Sequence, residues 1–212
     1  MDKNIEWYID KKVQRTIENL EKHNIEAFYV KDEDELKKNI DEMIPKGVIV
    51  TAGDSMTLLE TGVIDMLRND KYIYLDKHKE GITSEEKKNI YNKSFTAHTY
   101  LSSTNALTES GELYNIDGNG SRVAAMIYGP EQVIIVAGIN KIVDNLEEAE
   151  KRVRNYAAPL DAKRLGKNTP CAKIGYCVDC KSSERICNYF TVIKGQFKSR
   201  IKVIIVNKHL GY

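Results

Sequence analysis

The sequence predicts an α/β fold: a mainly parallel sheet in three layers, with helices on both of its faces. Three observations carry that expectation. Segments with apolar residues spaced three and four apart alternate along the chain with short apolar runs. Two of those runs, GVIVTAG (47–53) and QVIIVAG (132–138), are unbroken rather than alternating, the pattern of strands buried on both faces. The chain has 212 residues, 42% hydrophobic and 30% charged, which suits one globular domain with a proper core.

The elements follow in order. Over residues 4–23, Ile5, Ile9, Val13, Ile17 and Leu20 line one helical face. IEAFYV (25–30) reads as a strand. Asp32 with Glu35 resembles a capping box, and the helix it opens carries Leu36, Ile40, Met43 and Ile44 on one side. Pro45 and Gly47 stop that helix. After the strand at 47–53, GDSMTLLETGVIDMLRND turns directly into a helix. YIYLD (72–76) reads as a strand, residues 84–92 as a polar helix, and 97–102 as a strand. Ala106–Ile116 is expected to form a β-hairpin turning at Ser110-Gly111. The strand at 132–138 leads to a charged helix over 145–157, NLEEAEKRVRNYA. A cysteine-containing loop at 169–188 comes next, and NYFTVIKG and RIKVIIVN supply two final strands. Trp7 reads as a core or interface anchor.

The charge balance, 32 basic against 31 acidic residues, gives no reason to expect a nucleic-acid or acidic-membrane partner. The N-terminal MDKNIEWYIDKK has acids where a signal peptide needs a basic start and an apolar core. No apolar run approaches the ~20 residues of a membrane span. A cytoplasmic location is expected.

In open α/β sheets, ligands bind beyond the carboxyl ends of the strands. Gly53-Asp54-Ser55 sits at such an end and opens a helix. Its backbone N–H groups, with Ser55 and Thr57, could hold a phosphate or carboxylate; the plainer reading is a helix cap and a permissive turn. Asp117-Gly118-Asn119-Gly120 has glycines on both sides of Asn, which allow close backbone approach, although an ordinary Asn-Gly turn reads the same way. Asn105, Thr108 and Glu109 precede the hairpin turn and could converge on the same cleft. Glu109 and Asp117 are the acids nominated for proton transfer, beside the plainer reading of solvated loop acids. No phosphate-loop, nicotinamide or flavin fingerprint is present.

These segments carry a resemblance. GDSMTLLETG (53–62), TNALTESGELYNIDGNGSRVAAMIYGP (104–130), TPCAKIGYCVDCKSSERICN (169–188) and IKVIIVNKHLGY (201–212) look like the LUD (lactate-utilisation) domain family in its stand-alone form. The likeness spans the chain from the first helix to Tyr212, and residues 1–212 are read as a single such domain. It implies the fold shared by ribose-5-phosphate isomerase, glucosamine-6-phosphate deaminase and CoA transferases. By position, Gly53, Asp54, Ser55, Met56 and Thr57 become an anion-binding turn. Asn105, Glu109, Asp117, Gly118, Asn119 and Gly120 become the opposite wall. The chain departs from those relatives: the basic residues of a sugar-phosphate isomerase site and the CoA-transferase glutamate motif are not apparent in it. Fold kinship therefore licenses neither reaction.

The resemblance implies a role in lactate or small 2-hydroxy-carboxylate metabolism beside iron–sulfur redox proteins, with a small anion in the cleft. A non-catalytic sensor or assembly subunit is the alternative. A sugar-phosphate isomerase or an acyl or CoA transferase is a weaker one.

Cys171, Cys177, Cys180 and Cys187 form C-x5-C-x2-C-x6-C within one loop. Thiols so gathered in a cytosolic chain argue for metal rather than disulfides. An iron–sulfur cluster needs four thiolates, yet this spacing matches no ferredoxin pattern. Structural zinc usually uses two C-x2-C knuckles, and one is present. Unligated thiols are the third reading. His23, His78, His98 and His209 are scattered and suggest no ligand set.

Overall fold

The structure, a computed structural model, describes residues 2–212; the first residue of the expected 1–212 domain lies outside them. The chain opens with helix α1 (Lys3–Lys22), where Asp2 accepts hydrogen bonds from the N–H groups of Asn4 and Ile5. Strand β1 (Glu26–Val30) and helix α2 (Glu33–Met43) follow. Asp32 caps α2 through Glu35 N at 3.0 Å, but the Glu35 carboxylate returns to Lys31 N rather than to the cap residue. The expected capping box is thus displaced by one residue.

Strand β2 (Ile49–Ala52) leads into two short helices, α3 (Met56–Glu60) and α4 (Val63–Leu67). The single helix expected there is broken at Gly62, whose φ of 68° is left-handed. Strand β3 (Ile73–Tyr74), helix α5 (Ser84–Ser94) and strand β4 (Thr99–Ser102) come next. The hairpin of β5 (Ala106–Thr108) and β6 (Leu113–Asp117) is antiparallel, as its turn residues predict. Helix α6 (Ser121–Ile127), strand β7 (Gln132–Gly138), a 3₁₀ turn at Ile139–Lys141 and strand β8 (Ile142–Val143) continue the chain. The charged helix runs further than its sequence suggests: α7 (Leu146–Arg152) passes through a π-helical turn at Val153–Ala157 into α8 (Ala158–Arg164). Helix α9 (Pro170–Ile174) lies inside the cysteine segment, before β9 (Tyr189–Ile193) and β10 (Ile201–Val206).

Six strands form one parallel sheet in the order β1-β10-β7-β4-β2-β3. The unbroken apolar runs are explained by strict alternation across its two faces. Ile134, Val136, Ile204 and Val206 point to one side and pack with Leu36, Ile40, Leu58 and Leu67 of α2, α3 and α4. Val133, Ile135, Val203 and Ile205 point to the other and pack with Val13 and Leu20 of α1 and with Val123 and Met126 of α6. This is the three-layer α/β arrangement expected.

A second sheet, in the order β8-β5-β6-β9, takes strands that the sequence alone cannot separate from the first. Leu107 and Leu113 join it to the core beneath α1 and α6. Its opposite face packs Ala106, Tyr114 and Ile116 against Ala149 and Val153 of the long helix. Trp7 is 62% exposed and anchors no core. Among the described residues, no helix is long and apolar enough to cross a membrane.

Candidate functional site

Strands β2, β4 and β7 are neighbours in the parallel sheet, so their carboxyl ends open side by side. The segments that leave them, Gly53–Thr57, Ser103–Asn105 and the turn ending in Lys141, therefore meet at one edge, where ligands of such sheets bind. A cleft of about 390 Å³ lies there, within the size range of small-molecule sites. Its further walls are the Asp117–Arg122 turn, the π-helical turn with α8, and Ser183–Ile186 of the cysteine loop. A π-turn at a cleft wall is a recurrent feature of functional sites.

Lys141 is the most unusual residue of the cleft. It is 2% exposed, yet its Nζ is held only by neutral acceptors. Nζ donates to Thr57 Oγ1 and Ser103 Oγ, both at 2.9 Å, and to Thr104 O at 3.1 Å. Burial, with the guanidiniums of Arg152 and Arg122 nearby and Glu60 only partly offsetting them, pushes its pKa down to about 7. Sequence reading missed this residue, since a lysine after a buried strand carries no local signature.

Arg122 was also missed as a site residue, and it organises the wall opposite Lys141. Its guanidinium donates to Asp117 Oδ1, Ser103 O, Asn115 Oδ1, Asn105 Oδ1 and Ile116 O, with distances between 2.7 and 3.1 Å. Five acceptors match the five N–H groups of arginine, so this side chain binds the loops together rather than a ligand.

That network decides the roles of the residues nominated from the sequence. Asp117 lines the cleft, but its carboxylate is engaged by Arg122 and by the N–H groups of Arg122 and Val123. Asn105 also lines it, with its Oδ1 taken by Ile116 N and Arg122. Gly118 and Asn119 lie on the same wall, and Asn119 Oδ1 accepts from Ser121. Gly120 supports that turn from behind, with a φ of 81° that favours glycine.

On the other wall, Asp54, Ser55 and Met56 line the cleft. Ser55 Oγ accepts from Leu58 N at 3.2 Å, the plain capping role. Thr57 is buried against Lys141. Gly53 lies under Tyr100, where even a Cβ would come within 2.5 Å of the phenol oxygen. Burial alone would raise the Asp54 carboxyl, but Lys77 at 3.1 Å, with His78 and Arg164, holds it below its ordinary value.

Glu109 is not in the cleft. It pairs with Arg15 at 2.8 Å and Lys12 at 3.3 Å on the α1 side of the hairpin, and Thr108 is buried in the same hairpin. The hairpin turn carries both away from the site. Although nothing identifies them with those of a sugar-phosphate isomerase site, basic residues do line the cleft: Arg164, Lys167 and Arg185 with Lys141 and Arg122. They come from segments remote in sequence, which is why no motif displays them.

The four cysteines are all partly exposed and are not drawn together. Among the described residues, no three of His, Cys, Asp or Glu are grouped so as to hold a metal ion. The loop is held instead by Arg185, which donates to Cys180 O and Cys187 O, and by Asn188, which donates to Gly118 O. Cys187 packs against the core behind the second sheet.

A model of the LUD domain family matches residues 13–206. Among solved structures, a DUF162 family protein from Deinococcus radiodurans superposes with a TM-score of 0.56 at 13% identity, covering 93% of this chain and 98% of that one. That likeness concerns the fold. eIF2B beta and eIF2B delta from Chaetomium thermophilum align over 53% of the chain, at 14% and 20% identity, covering 43% and 48% of theirs. Their TM-scores of 0.38 and 0.34 are too low to carry an argument. No curated protein sequence matches the chain. With the family model spanning nearly the whole of it, the chain belongs to the LUD domain family, which is associated with lactate utilization.

Proposed function

We propose that this is a cytosolic protein of lactate or related small 2-hydroxy-carboxylate metabolism, which binds an anionic molecule in the cleft and works with an iron–sulfur redox partner. The observation that carries the reading is Lys141. A buried ammonium held only by neutral acceptors is costly, and a bound anion would supply the charge it lacks. Lys167 lines the same cleft and adds to its attraction for a carboxylate, while Arg164 there is paired with Asp161. Family membership supports lactate or a near relative as the source of that carboxylate.

A non-catalytic sensor or assembly subunit is the second reading. One observation favours it: Asp117 is fully engaged with Arg122, and Glu109 lies outside the cleft, which leaves neither nominated acid free to move a proton. A sugar-phosphate isomerase or acyl transferase draws some support from the basic residues around the cleft.

Native mass spectrometry and thermal shift with L-lactate, pyruvate, ribose-5-phosphate and CoA test the binding class. Turnover of L-lactate with an artificial electron acceptor, with and without partner proteins, tests catalysis. Tight lactate binding without turnover would favour the sensor. Binding of ribose-5-phosphate or CoA alone would overturn the carboxylate reading.

The iron–sulfur cluster, or zinc, at Cys171, Cys177, Cys180 and Cys187 rests on their spacing in the sequence. Binding it would require the loop to draw the four thiols together. Metal analysis of anaerobically purified protein tests it: brown protein means iron, and colourless protein holding zinc means the alternative.

A further inference from the structure

The surroundings of Lys141 suit a nucleophile as well as a charge. We propose that Lys141 captures the carbonyl carbon of a small 2-oxo carboxylate, of the size of pyruvate, as an imine in the cleft. The inference rests on the small-carboxylate reading of the same site.

Three observations carry it. Lys141 lines the cleft, and two of the three residues that hold its amine, Ser103 and Thr104, line it too. The groups that face it are Thr57 and Glu60 from α3, Ser103 and Thr104 after β4, Arg122 from α6 and Arg152 from α7. No carboxylate forms an ion pair with it among the described residues, and its pKa, pushed down to about 7 by burial first and the two guanidiniums second, leaves much of the amine neutral near neutrality. Desolvated lysines near other cations are the ones that attack carbonyls. Finally, two of its partners are hydroxyls, Thr57 Oγ1 and Ser103 Oγ, which lie 3.4 Å apart. Ser103 directs its proton to Thr57 Oγ1 or Thr104 O, and Thr57 directs its own to Leu210 O. No hydroxyl proton therefore occupies the lone pair of the neutral amine, and either hydroxyl can relay a proton to the departing oxygen.

The step balances without an oxidant or reductant. The lone pair forms the C–N bond while the carbonyl π electrons move to oxygen, which takes a proton from the neighbouring hydroxyl. The ammonium nitrogen of the adduct returns a proton to that hydroxyl, giving a carbinolamine. Loss of the second nitrogen hydrogen with the hydroxyl group gives the imine and one molecule of water. Addition of water reverses it. Lys167, on the same cleft, is the cation available to the carboxylate, with Arg164 beside it already paired to Asp161 at 2.7 Å.

The test is reductive trapping. The full chain is treated with pyruvate and sodium borohydride, digested and mapped by mass spectrometry. One adduct per chain is expected on the Lys141 peptide, with the mass of pyruvic acid less one oxygen. L-lactate in place of pyruvate should give none, and trapping should fall as pH drops through about 7. Lys141→Arg, which keeps the charge, should abolish the adduct; if that variant fails to fold, the wild-type peptide map decides alone. Pyruvate that raises the melting temperature but leaves Lys141 unlabelled, or labels surface lysines equally, would overturn the imine and spare the carboxylate reading. No response to pyruvate or lactate by either measure would overturn both.

Discussion

Arg122 and Asp117 are joined twice over. The Arg122 Nε donates to Asp117 Oδ1 at 2.9 Å, and Asp117 Oδ2 accepts the backbone N–H groups of Arg122 and Val123 at 3.1 and 3.0 Å. One carboxylate therefore both caps α6 and anchors the guanidinium that ties Ser103, Asn105, Asn115 and Ile116 together.

Arg122→Met should be severely destabilising. It strands a nearly buried carboxylate and four further acceptors, and breaking one side of a buried pair costs about 3–5 kcal/mol. Arg122→Lys should recover little, because three donors cannot replace a planar set of five. Urea denaturation midpoints measure both. A loss below ~1 kcal/mol for Arg122→Met would show that the network is not what holds this wall.

Lys141 gives a pH signature with a definite sign. Its pKa in the folded protein is near 7 and its ordinary value is 10.5. The unfolded chain thus binds more protons between those values, and stability must rise with pH there. The penalty is fully present below about 7 and is lost as pH approaches 10.5. The stability difference between wild type and Lys141→Met should therefore shift toward wild type across that window. A pH-independent difference would mean that the amine titrates normally.

The contrast between these residues and those nominated from sequence has a physical basis. Parallel-strand runs such as QVIIVAG declare themselves because both faces must be apolar, so the central sheet was legible. The Gly53 turn and the Asp117–Gly120 turn were legible as turns at strand ends, although a helix cap or an Asn-Gly turn accounts for the same residues. Lys141 and Arg122 were not. Each gains its role from neighbours distant in sequence, and a lone cation looks like surface until the fold encloses it. The break at Gly62 and the departure of β9 into the second sheet were likewise hidden, because local patterning fixes an element's type and not its partner.

Gly53 is required for space rather than for backbone freedom. A Cβ there would meet Tyr100 Oη at 2.5 Å, Ser102 Oγ at 2.9 Å and Arg122 Cγ at 3.1 Å. Gly53→Ala should cost about 1–3 kcal/mol, the usual range for overpacking. Adding Tyr100→Phe removes the closest atom and should recover part of the loss, leaving the Ser102 contact. Thermal melts of the single and double variants check this; strictly additive losses would place the strain elsewhere.

Glu109 should prove dispensable to the site. Its pairs with Arg15 and Lys12 are partly solvent-exposed, and such pairs contribute roughly 0.2–1 kcal/mol. Glu109→Gln should lower stability by no more than that and leave ligand affinity unchanged. A large loss of binding, measured by calorimetry, would return the residue to the functional set.

Arg185 clamps the cysteine loop. Its guanidinium donates to Cys180 O at 2.7 Å and Cys187 O at 2.9 Å, while Arg185 N donates to Ser182 O at 3.1 Å. Ser183–Ile186 form part of the cleft wall, so whatever fixes this loop also shapes the site. Arg185→Ala removes two charge-assisted bonds worth about 1.5–3 kcal/mol each. Hydrogen exchange across 175–188 should then accelerate and ligand affinity fall, with the core strands β7 and β10 still protected. If a metal at the four cysteines holds the loop instead, Arg185→Ala will leave exchange slow and a chelator will release it. Measured on one preparation, with and without chelator, the two outcomes separate a loop clamped by arginine from one clamped by thiolates.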